Sequence, residues 1–158
     1  MKLTPSERKQ RIQFGPGHIS RDGFMGNDPR HIHDIVEADQ KTLDRLKITR
    51  EQVADCLQYF IDEGKQGLES LVDLGRFTVL LQWDRGMMPC PFGQCSLQHK
   101  IVVTVTHKEK KKTITYSQLN VHMIRKHGFF EGKGGHFRLD PEEIVPFLCL
   151  TPYVRNGE

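Results

Sequence analysis

The sequence predicts an α+β fold: an N-terminal helical hairpin packed with a small antiparallel sheet, and a zinc-stapled hairpin-plus-helix in the second half. Three observations carry this. Apolar residues recur at helical spacing up to about residue 67, β-branched runs replace them after Gly75, and two cysteines and two histidines bracket those runs. A chain of 158 residues is long enough to bury one real core.

Residues 1–26 carry Gly15, Pro16, Gly17, Gly23 and Gly26 among few apolar positions. That composition predicts an arm that orders by docking, anchored by Ile12, Phe14, Ile19 and Phe24. Residues 27–158 read as a single α+β domain. Within it, Asn27-Asp28-Pro29 signals a helix start, with Asp28 as cap and Pro29 in the first helical position. Ile32, Ile35, Val36, Leu43 and Leu46 then form one apolar stripe. Thr49 and Gln52 make a capping box for a second helix, whose stripe is Val53, Cys56, Leu57, Phe60 and Ile61, and Gly64 or Gly67 ends it. The short Lys47–Thr49 connection predicts that the two helices form a hairpin over 27–67 that buries both stripes together.

After Gly75 the period changes. Arg76–Trp83 reads as a strand, followed by a turn-rich connection from Gly86 to Gly93. Ile101–Thr106 and Lys112–Tyr116 are β-branched runs joined by the charged tip His107–Lys111. Ser117 is placed to cap a third helix that runs to His127 and closes at Gly128. Phe137–Leu139 reads as one more short strand, completing a metal-binding module over 76–139. Asp140-Pro141-Glu142-Glu143 opens a C-terminal helix within 140–150, which Pro146 is expected to kink or cut.

Charge divides the chain. Residues 28–73 hold six basic and eleven acidic residues, whereas residues 96–139 hold nine basic and two acidic. This asymmetry points to opposite faces, and to an anionic partner for the second. No stretch approaches the ~20 apolar residues of a membrane span. The basic, polar N-terminus lacks the apolar run of a secretory signal, so a cytoplasmic location is expected. There cysteines serve more often as ligands or core residues than in disulfides.

Cys90-Pro-Phe-Gly-Gln-Cys95 and His122-Met-Ile-Arg-Lys-His127 each place two metal-ligand side chains with four residues between them. Local pairs close a tetrahedral site cheaply, because each motif presets its own ligand separation. Pro91 and Gly93 favour the turn that brings both sulfurs to one side. Residues five apart on a regular helix are rotated by about 140°, so the last turn must loosen, and Gly128 permits that. A cysteine pair, a β-hairpin and a helix bearing a histidine pair resemble the two-cysteine two-histidine zinc fingers. The resemblance covers Cys90 to His127 and implies a structural Zn2+ held by Cys90, Cys95, His122 and His127. It departs from the family in spacing: 26 residues separate Cys95 from His122, where the finger has about twelve. An enlarged hairpin over residues 100–116 accounts for the excess. His99, His107, His136 and Cys149 are reserve ligands.

His31 and His33 sit near Asp34, Glu37 and Asp39, but residues two apart on a helix point about 200° from each other and do not share an ion. The binding reading rests on Lys110, Lys111, Lys112, Arg125, Lys126 and Lys133 as phosphate contacts, with Phe129 or Phe130 either stacking a base or covering the zinc site. The alternative is a protein–protein adaptor or inhibitor working through the acidic helical hairpin. A metal-dependent hydrolase is the third reading, and the His122–His127 interval offers no glutamate as general base. No catalytic residue and no small-molecule cofactor apart from the metal is assigned.

Overall fold

Alternation along the β-branched runs decides which face of the sheet is covered. The computed structural model describes residues 4–93 and 96–152. In β3 (Gln98–His107), Ile101, Val103, Val105 and His107 are buried, while Val102, Thr104 and Thr106 between them stay half-exposed. Phe77, Val79 and Leu81 of β2 (Phe77–Met88) and Tyr116 of β4 (Lys112–Ser117) share the buried face. A two-residue strand, β1 (Val72–Asp73), edges β2. The antiparallel sheet is ordered β1-β2-β3-β4, with Val79 opposite Val105 and Val103 opposite Tyr116. On the outer face, threonine hydroxyls pair across β3 and β4, Thr104 with Thr115 and Thr106 with Thr113.

Two helices cover the inner face. α3 (Arg50–Lys65) contributes Leu57, Phe60 and Ile61, and α4 (Gln118–His127) contributes Val121 and Ile124. Each such side chain stabilises the fold by roughly 1.5–3 kcal/mol, which makes this cluster the main source of stability. Tyr116 buries its ring there and donates its hydroxyl to the Leu57 carbonyl at 2.8 Å, so the phenol is not left unpaired. The fold is therefore mixed α+β, with five helices and one four-stranded sheet among the described residues.

Several expectations need correction. α2 (Ile32–Leu46) begins at an N-cap of His31 rather than Asp28. Asp28 is buried instead: its carboxylate accepts from the Arg30 guanidinium and from the Lys133 backbone N–H, so it is committed to tertiary contacts. The helices of the expected hairpin, α2 and α3, bury Leu43, Val53 and Leu57 in one cluster, but each packs more extensively on other elements. α3 lies on α4 and the sheet, whereas α2 meets α5 (Pro141–Phe147). An ion pair from Arg138 to Asp39, with contacts of 2.5 and 2.9 Å, ties α2 to the loop before α5.

β2 runs on to Met88 through a bulge between Asp84 and Met87, where Gly86 takes φ 97°, so the expected turn-rich connection is shorter. Residues 137–139 are not a strand; Leu139 is buried by the core contacts of its side chain. Pro146 sits inside α5, and the helix stops one residue later. The N-terminal segment contains a helix, α1 (Pro5–Phe14), opened by a capping box of Thr4 and Glu7. Of its expected anchors, Phe14 and Phe24 are buried and Ile19 is partly buried, but Ile12 faces solvent.

Phe14, Phe24 and Met25 join Ile32 and Ile35 of α2, Leu119 and Met123 of α4, Cys90 and Phe129 in a second apolar cluster. Cys90 belongs to that cluster, and Phe92, packed against it, stacks on His127.

Candidate metal centre

A turn and a helix end bring the ligand atoms together. Beyond β2, the Gly93 N–H donates to the Cys90 carbonyl at 3.0 Å with Gly93 at φ 79°, the tight turn expected from Pro91 and Gly93. α4 starts at a Ser117–Asn120 capping box, as its sequence predicts, and ends at Gly128 in the left-handed region with φ 65°. The Gly128 N–H reaches the carbonyls of both Ile124 and Met123, and the Phe129 N–H takes the Met123 carbonyl at 3.1 Å. The bond to Ile124 keeps the regular i to i−4 spacing, but the two bonds to Met123 span five and six residues, so the final turn is widened where the histidine spacing asks for it.

His122 and His127 have ring centroids 5.8 Å apart, with planes at 76°. Cys90 Sγ stands 3.6 Å from His127 Nε2. One ligand atom from each of Cys90, His122 and His127 lies within 4.8 Å of the others, and these three residues can hold a metal ion. Cys95 lies outside the described residues.

The surroundings are apolar and aromatic. Phe92 stacks flat on the His127 ring, with centroids 3.9 Å apart and planes 11° from parallel. Phe14 and Phe129 meet Phe92 edge-on at 4.7 and 5.6 Å. Burial lowers the pKa of His122, with a smaller push from Lys126. Burial likewise lowers that of His127, helped by His122, Arg50 and Lys126. Both rings are thereby held in the neutral form that ligates metals. The Nε2 of His122 is buried with no hydrogen-bond partner among the described residues.

The reserve ligands are occupied elsewhere. His107 and Cys149 meet each other at 3.8 Å, beside Phe77 and Phe147. His99 packs on Trp83, and His136 stands 4.0 Å from Asp22. Among the described residues none of these belongs to the ligand group.

The residues read as nucleic-acid contacts differ in their availability. Phe129 and Phe130 are 0% and 1% exposed, so neither offers a ring face to a base; both are core side chains. Lys110 Nζ donates to the Pro146 carbonyl, and Arg125 pairs with Asp55 at 2.6 Å. Lys111, Lys112, Lys126 and Lys133 face solvent.

No protein-family model matches the chain, and neither a curated protein nor a solved structure matches it. Meaning must come from the site itself. The feature that sequence reasoning missed is the aromatic shield of Phe92 and Phe14. Phe92 lies inside the Cys90–Cys95 loop, and an apolar residue there is a usable sign of a shielded ligand turn.

Proposed function

We propose that the protein is a zinc-stabilised binding protein in which Cys90, Cys95, His122 and His127 hold one structural zinc ion. The observation that carries this reading is the buried, unmet Nε2 of His122 within a group of one thiol and two imidazoles. An unsatisfied buried nitrogen costs about 1–3 kcal/mol, and a metal bond removes that cost. Around tetrahedral zinc, neighbouring S and N ligand atoms stand roughly 3.4–3.8 Å apart. The 3.6 Å between Cys90 Sγ and His127 Nε2 is of that size. Thiolate with imidazole favours zinc over the hard cations. Cys95 enters as fourth ligand on its sequence spacing from Cys90.

Binding would then belong to the surface that the zinc holds in place. The solvent-facing Lys111, Lys112, Lys126 and Lys133 favour a nucleic acid. A protein partner is the second reading, favoured by the exposed Leu80, Trp83, Met87 and Leu97 on and beside the β2–β3 ribbon.

Native mass spectrometry tests the ligand set. One zinc per chain is expected in the wild type, with loss in Cys95→Ser and in His127→Ala together with a fall in thermal midpoint. Full zinc retention in both variants sinks the assignment. The partner readings separate by salt: nucleic-acid binding should weaken steeply as salt rises and fall in a Lys111→Gln, Lys112→Gln double variant. No binding of mixed DNA or RNA at low salt leaves the protein-partner reading.

A further inference from the structure

Away from the metal residues, a cavity of about 430 Å3 opens between loop 19–24, the β2–β3 ribbon and loop 131–137. Buried Phe24, Ile101 and Leu119 and half-buried Phe137 give it an apolar floor. Its size falls in the range of preformed small-molecule sites.

The two loops that wall it are locked by backbone contact. The Gly132 N–H donates to the Phe24 carbonyl at 2.8 Å, and the Asn27 N–H donates to the Lys133 carbonyl at 3.0 Å. A Cβ on Gly26 would stand 2.3 Å from the Gly134 carbonyl carbon, and one on Gly132 would stand 2.4 Å from the Met25 carbonyl oxygen. Only glycine allows that approach, and it explains the glycines after Phe130. Between the loops lies Glu131, 1% exposed and held at φ 70°, a conformation that costs a non-glycine residue on the order of 1 kcal/mol or more. Its carboxyl accepts from Asn120 Nδ2 at 2.7 Å and from the Phe137 N–H at 3.1 Å.

The mouth carries charge that the fold does not use. The side chains of Arg21 and Lys100 line it, are exposed, and make no ion pair or hydrogen bond among the described residues. Two carboxylates also border the mouth: Asp22 stands 4.0 Å from His136, and Asp84, the cross-strand partner of Lys100, accepts from the neutral Gln82 amide at 3.4 Å, so an anion seated at Arg21 and Lys100 must outweigh both. The β2 bulge between Asp84 and Met87 lies opposite His99 and Lys100, and bulges often flank binding sites because they re-aim side chains.

We propose that this cavity binds a small organic anion, its apolar body against Phe24, Leu119 and Phe137 and its carboxylate or phosphate toward Arg21 and Lys100. Burial raises the Glu131 pKa to about 7, so the floor carries only part of a negative charge at neutral pH and repels an anion weakly. None of Cys90, His122 and His127 lines the cavity, although Phe24 and Leu119 of its floor belong to the apolar cluster that includes Cys90.

Isothermal titration calorimetry on the full chain with phenyl phosphate, benzoate, benzyl alcohol and benzylamine tests it. Phenyl phosphate or benzoate should bind at least ~10-fold more tightly than the alcohol or the amine, and the better of the two identifies the anionic group. Arg21→Gln and Lys100→Gln should each weaken that binding ~5-fold or more while leaving thermal midpoint and metal content unchanged. Equal or tighter binding of benzyl alcohol or benzylamine overturns the anion class. No heat from any of the four, or undiminished binding in a variant that combines Arg21→Gln with Lys100→Gln, overturns the site.

Discussion

At Glu131 opposing effects act on one carboxyl. Burial pushes its pKa up, while Asn120, the Phe137 N–H and Arg138 pull it down; burial wins, and the value rises from 4.5 to about 7. The folded protein then keeps this proton to higher pH than the unfolded chain does. Stability from this group is fully present below about pH 4.5 and is lost as pH rises through 7, amounting to roughly 3 kcal/mol. Urea midpoints taken from pH 5 to 8 should therefore fall with rising pH, and Glu131→Gln should flatten that slope. An unchanged slope in the variant would refute the assignment. Nothing in Gly-Phe-Phe-Glu-Gly announces that this glutamate is internal, since local sequence marks a loop without saying which side meets the core. The metal residues were easier to read. Cys90 sits in a turn that its own neighbours form, and His122 and His127 share one helix, so short-range geometry does most of the work. Phe92 on His127 was not readable, because that stack joins positions 35 residues apart.

Helix ends were legible where a box of side chains met an apolar stripe. Thr49 accepts from the Gln52 N–H while the Gln52 side chain accepts from the Thr49 N–H, and Ser117 with Asn120 repeats the arrangement. Thr49→Ala should cost about 1 kcal/mol and lower the thermal midpoint by about 2–4 °C at this chain length, as read from circular-dichroism melts. A drop near zero would mean that the Gln52 side chain alone satisfies the first turn. α1 has the same kind of box at Thr4 and Glu7 but little apolar periodicity behind it, so its helix was not anticipated. The start of α2 was misplaced for the opposite reason: a good local cap, Asp28, is worth more to the fold as an ion-paired tether for Arg30 and the Lys133 backbone. Which helices pack together was also out of reach. Periodicity identifies the buried face of α3 but not that α4 is its most extensive helical neighbour.

Among the described residues, apolar burial falls into two clusters, and only the smaller one includes a residue of the candidate metal centre. The larger one joins the sheet, α3, α4, α5 and Leu43 of α2, mainly through aliphatic and aromatic side chains. The smaller one includes Cys90 and gathers α1, loop 24–25, the start of α2 and Phe129 beside the ligands. Hydrogen exchange after chelation should show this division. Amides of α1 and of residues 90–93 should lose protection by about tenfold or more, while amides of β3 and α3 keep theirs. Uniform loss across both clusters would count against it. The larger cluster was largely legible from alternation in the strands and the stripe of α3. The smaller one was not, because it is assembled from segments far apart in the chain.

Phe14 carries a consequence for synthesis. Its ring is closed over by Phe92 and Phe129, which lie 78 and 115 positions later. At ribosomal speeds of about 5–20 residues per second, α1 is made roughly 5–25 seconds before its last aromatic neighbour exists. During that interval its one buried ring is an exposed sticky point on an otherwise charged, polar helix. The polar character that hid α1 from a periodicity reading is what keeps the nascent segment in solution until its partners arrive.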